Sequence, residues 1–133
     1  MSTKTKKKKP IYMSDLHYEH KLWERQINFQ VDELEIFKHR LEEVVTRWTD
    51  QEILAQVEHF QNTFIRYKEV LDIQLHDIKL QEEALVKFVR EHPVASDHVH
   101  FQDHTKLRDD VETQLEMFFD TKKDFVRFLT KAM

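Results

Sequence analysis

Histidine is the residue type with which this chain could do the most chemistry, and it occurs nine times in 133 residues. His100 and His104 are spaced i, i+4, which puts two imidazoles on one helix face, as the first two ligands of a zinc or di-iron site require. His17 and His98, with Asp97 or Asp103, are candidates for a third position. Imidazole and carboxylate without thiolate would suit zinc, iron or manganese. The spacing arises easily in a histidine-rich helix, however, and the Glu-x-x-His pairs of di-iron bundles do not occur in the sequence. The bland reading is favoured: these histidines cap helices, bond to connector backbone or stand in solvent, and no cofactor is required. A pH-responsive cluster is a further reading, because neighbouring imidazoles repel once protonated, near an ordinary pKa of about 6.5.

Other catalytic machinery is hard to assemble. Serine occurs only at Ser2, Ser14 and Ser96, each in a tail, cap or connector setting. The carboxylate pairs Asp109–Asp110 and Glu82–Glu83 are adjacent in sequence, so they diverge on a helix and read as solvated charge. The chain has no glycine, which excludes dinucleotide and P-loop phosphate cradles and glycine-dependent oxyanion loops. It has no cysteine, hence no disulfide, thiolate metal site or cysteine nucleophile; this fits a reducing cytoplasm. The expectation is a non-catalytic protein.

The elements that would position these residues follow from apolar spacing. From Leu16 a 3-4 seam runs through His20, Trp23, Ile27, Gln30, Leu34, Phe37, Leu41, Val44 and Trp48. Continued further, that register turns polar, and a new seam begins: Val57, Phe60, Phe64, Tyr67, Leu71, Gln74, Ile78, Gln81, Leu85, Phe88. A turn near Trp48–Asp50 is therefore predicted. Thr49 and Glu52 have capping-box spacing there, and Trp48 and Ile53 have staple spacing. Pro93 ends the second helix. A third seam runs through Phe101, His104, Arg108, Val111, Leu115, Phe118, Lys122, Phe125, Leu129 and Ala132. The prediction is an all-α, elongated antiparallel three-helix bundle of coiled-coil type, with helices over about 14–48, 50–92 and 97–132. Ser14 is the expected first N-cap. Gln30, Gln74, Gln81 and Lys122 interrupt the seams, and register control is their expected role. In such a hairpin arrangement His17, His20, His92, His98, His100, His104, Gln81 and Arg108 gather toward one end.

Apolar residues off the seams point to a partner. Leu22, Phe29 and Ile36 form a second heptad stripe on the first helix, and on the third Phe119 and Val126, and separately Leu107 and Phe128, widen the apolar face. A wide bundle face explains them in part. The sharper reading is a surface for a protein partner, most simply a second copy in a homodimer.

The first twelve residues read as a disordered basic arm (Lys4, Lys6, Lys7, Lys8, Lys9), and 13–133 as the bundle domain. The arm holds five of the 21 basic residues and all 25 acidic residues follow it, so the body carries a net charge of −9. An acidic body repels nucleic acid and anionic membrane, which leaves the arm as the one electrostatic tether, to RNA, a ribosome or an acidic protein. No apolar run approaches a signal region or the roughly 18 residues of a membrane span.

Overall fold

A computed structural model describes the backbone of residues 11–91, 98–99 and 102–133, and the side chains of 15–91 and 104–133. It has the expected all-α architecture. Three helices, α1 (Met13–Arg47), α2 (Gln51–Glu91) and α3 (Gln102–Ala132), pack as a three-helix bundle. Two-residue strands, β1 (Ile11–Tyr12) and β2 (His98–Val99), pair antiparallel, with Ile11 opposite Val99 and Tyr12 opposite His98. This pairing alters two expected boundaries. It ties the last two residues of the arm to the connector, and it draws His98–Val99 into extended backbone, so α3 starts at Gln102 rather than near 97. Ser14 lies inside α1, which already begins at Met13.

No described residue has positive φ, as a glycine-free chain requires. The connection between α1 and α2 meets that constraint with a side-chain cap. Asp50 Oδ1 accepts the backbone N–H groups of Glu52 (2.8 Å) and Ile53 (3.1 Å). Asp50, not Thr49, is therefore the cap, one residue later than the capping-box spacing predicts. Trp48 and Ile53 each pack against the core; with Asp50 as the cap, the staple positions fall instead at Thr49 and Leu54.

The core follows the predicted seams on α1 and α2, from Leu16 to Val44 and from Val57 to Leu85. Its densest part is aromatic. Phe125 lies 4.8 Å from Phe37, 5.2 Å from Phe60 and 5.1 Å from Phe64 between ring centroids, the last edge-on at 86°. Edge-to-face geometry sets a positive ring edge against a negative face and adds to the burial of each ring.

α3 is rotated relative to its predicted seam. Leu107, Gln114 and Phe128 join His104, Val111, Phe118, Phe125 and Ala132 in the buried stripe, while Arg108, Leu115, Lys122 and Leu129 fall at its edge. A helix that serves two neighbours centres its apolar stripe between them. The rotation brings Arg108 and Lys122 to the α1 side, where they pair with Glu19 and Glu33. Each pair spans 89 residues, so one register holds along the parallel helices α1 and α3. Among the described residues, no helix is long and apolar enough to cross a membrane.

Candidate functional site

Two features stand out: a buried polar chain at one end of the bundle and an apolar face along α1 and α3.

The polar chain links seven side chains. At one edge, His17 Nδ1–H and His20 Nδ1–H donate to the two carboxylate oxygens of Glu82, at 2.5 and 2.7 Å. Gln81 Oε1 then lies 3.2 Å from His20 Nε2 and 3.2 Å from His104 Nδ1, bridging the two rings. His104 Nε2–H donates to Glu19 Oε1 at 2.7 Å. Arg108 closes the far edge with Nη2–H on Glu19 Oε1 (2.7 Å) and Nε–H on Glu19 Oε2 (3.1 Å). All three helices contribute: His17, Glu19 and His20 from α1, Gln81 and Glu82 from α2, His104 and Arg108 from α3.

The centre of this chain is dry. His20 and His104 are 1% and 0% exposed. Their rings meet at 67° with centroids 5.6 Å apart, and Trp23 stacks on His104 at 5.3 Å. Burial pushes the His104 imidazole below its ordinary pKa, since a charged ring is costly there; the charges of Arg108 and His20 push the same way, and Glu19 opposes them. Burial alone would raise the carboxyls of Glu19 and Glu82. Hydrogen bonds outweigh it and hold both below the usual carboxylate range, from Arg108 and His104 on Glu19 and from His20 and His17 on Glu82. The Glu19 carboxylate in turn raises the Arg108 guanidinium.

Donors and acceptors along the chain can be counted. An amide oxygen and a carboxylate only accept, so with Gln81 Oε1 between the rings, both imidazoles need hydrogens on both nitrogens. Turning the Gln81 amide end for end offers one N–H to each bare ring nitrogen. Both rings are then neutral, His20 with its hydrogen on Nδ1 and His104 with its hydrogen on Nε2. The low pKa of His104 favours this second arrangement at neutral pH.

Sequence reasoning placed His17, His20, His104, Gln81 and Arg108 toward this end and missed both carboxylates. Glu82 is not the solvated charge that its sequence setting predicts; its side chain is only 23% exposed and bonded to two rings. His76 is exposed, and His39 pairs with Glu42 on its own helix. Of the metal candidates, His104 uses both ring nitrogens within the chain, and His17 lies across it on Glu82. His92, His100, Phe101 and the side chain of His98 lie outside the described residues, as do Lys4, Lys6, Lys7, Lys8 and Lys9. Among the described residues, no group of three or more His, Asp or Glu is placed to hold a metal ion.

The second feature contains the predicted partner residues. Leu22, Phe29, Ile36, Phe119 and Val126 are all exposed, Phe29 at 62% and Phe119 at 59%. These two rings flank a groove of about 370 Å³ between α1 and α3, lined also by Arg25, Gln30, Glu33 and Lys122. The Glu33–Lys122 ion pair bridges it. Lys122 thus has a carboxylate partner, whereas Gln30 leaves its Oε1 without a hydrogen-bond partner among the described residues. Lys123 Nζ sits 4.9 Å above the Phe119 ring, a cation–π contact that leaves most of that ring in water.

Compared with protein-family models, curated proteins and solved structures, the chain matches none.

Proposed function

We propose that this protein is a non-catalytic helical scaffold or adaptor, acting in the cytoplasm through protein–protein interaction at the face formed by α1 and α3. The observation that carries this reading is the pair Phe29 and Phe119. Two phenyl rings, each more than half exposed, stand on opposite walls of one groove, in line with Leu22, Ile36 and Val126. An apolar side chain left in water forgoes about 1.5–3 kcal/mol of burial. Five such residues aligned on one face, rimmed by charge, have the character of an interaction surface. Of the alternative expectations, a metal centre needs His100 beside His104, whose two ring nitrogens are already engaged, and a tether needs Lys4, Lys6, Lys7, Lys8 and Lys9; His100 and these lysines lie outside the described residues.

Site-specific photocrosslinking in cells tests the reading. A photoreactive residue at position 29 or 119 of the full chain should give protein adducts, and the same residue at exposed Glu69 on α2 should give none. Irradiation that yields no adduct from either 29 or 119 overturns the proposal.

A further inference from the structure

The face on α1 and α3 has a property that selects its partner. Within one chain, the ion pairs Glu19–Arg108 and Glu33–Lys122 set residue n of α1 beside residue n + 89 of α3. By that register Phe29 stands level with Phe118–Phe119, and Ile36 with Phe125–Val126. Arg25 stands level with Gln114, midway between Glu112 and Glu116. Arg25, Glu112 and Glu116 are all exposed.

A surface whose two halves match level by level is complementary to itself under a twofold axis parallel to the helices. Such an axis lays α3 of a second copy over α1 of the first without shifting the levels. Phe29 then meets Phe119 of the second copy, and Ile36 meets its Val126, each contact being made twice. Arg25 faces Glu112 and Glu116. The Glu33–Lys122 pair faces its own reversed image, giving four charges of alternating sign around the axis. The antiparallel alternative, with the axis across the helices at the level of Phe29 and Phe119, sets Arg25 against Glu33, whose carboxylate is already held by Lys122. The parallel arrangement offers Arg25 two exposed carboxylates instead, Glu112 and Glu116, and so pairs more charge.

We propose that the α1–α3 face is the interface of a parallel, twofold homodimer. This rests on the reading of that face as an interaction surface and names its occupant as a second copy of the chain.

Sedimentation equilibrium on the full chain, from low to high micromolar concentration, tests it. The expected result is a dimer. Arg25→Glu, or Glu112→Arg with Glu116→Arg, should raise its dissociation constant about tenfold, since each reversed contact occurs twice. Combining all three changes should restore the starting affinity. All three positions are solvent-exposed, so helicity by circular dichroism should be unchanged. A chain that stays monomeric removes the second copy as the occupant; photocrosslinks from positions 29 and 119 to other proteins would then keep the interaction reading alone. A dimer indifferent to these substitutions uses another face. A dimer weakened by the single-side reversals and not restored by the combination is antiparallel. Either of the last two results overturns the proposal.

Discussion

Trp48 Nε1–H donates to the backbone carbonyl oxygen of Ala132 at 2.7 Å, which ties the turn after α1 to the last turn of α3. The end of a helix leaves carbonyl oxygens without partners inside the helix, and this bond satisfies one of them across the bundle. Trp48→Phe keeps most of the apolar packing and removes the donor. It should cost about 1 kcal/mol in urea unfolding. It should also speed amide exchange in the last turn of α3 more than elsewhere. A variant as stable as the parent would show that this bond adds nothing.

The pH dependence follows from the directions of the shifts. His104 has a folded pKa below its ordinary 6.5, so the unfolded chain takes up a proton first, and stability declines as pH falls through 6.5 toward the folded value. Glu19 and Glu82 have folded pKa values below their ordinary 4.5. Their stabilisation is present above 4.5 and is lost as pH falls through the folded values. Urea midpoints measured from about pH 8 down to about pH 3 should therefore fall in two stages, and His104→Gln should remove the upper one. A midpoint that rises as pH drops from about 7 to about 5.5 would contradict the burial account of His104.

Nitrogen-15 NMR of the imidazoles reads the Gln81 orientation directly. At neutral pH His104 should hold its hydrogen on Nε2, facing Glu19, and His20 should hold its hydrogen on Nδ1, facing Glu82, with the Gln81 amide donating to both remaining nitrogens. Finding the hydrogen of neutral His104 on Nδ1 would mean that Gln81 accepts instead of donating. Gln81→Leu keeps the apolar stem and leaves both ring nitrogens without a partner, which should destabilise the bundle by about 1–3 kcal/mol.

Gln114 is buried on α3, and neither of its amide atoms has a hydrogen-bond partner among the described residues. Burying an amide without a partner is costly, and leucine has similar bulk with no polar atoms. Gln114→Leu should therefore raise stability by about 1 kcal/mol or more, measured as a higher thermal midpoint. A lowered midpoint would assign Gln114 a partner beyond those seen in the chain.

The seams were legible because periodicity records which residues must leave water, and Leu16 to Val44 and Val57 to Leu85 fold as their spacing requires. The rotation of α3 was less legible. Leu107 and Phe128 read as extra width, since one sequence does not say how a stripe is shared between two neighbours. In the polar chain, the histidines were legible through their place in the seams and their gathering at one end. Glu19 and Glu82 were not, because a glutamate beside a seam has the same local pattern whether it meets water or an imidazole from another helix. Asp50 was passed over for Thr49 because both residues cap well, and only the backbone path decides between them.

The 89-residue separation within the Glu19–Arg108 and Glu33–Lys122 ion pairs of α1 and α3 also bears on the order of folding. The α1–α2 hairpin closes through a three-residue turn and needs little loop entropy. Every α1–α3 contact must wait for a much longer segment to be ordered, which is slower. α3 is then the last element to dock. Substitutions in the α1–α2 seam should mainly slow refolding, whereas those at Arg108, Lys122 or Phe128 should mainly hasten unfolding. The lifetime of the folded protein is set by how firmly its third helix is held.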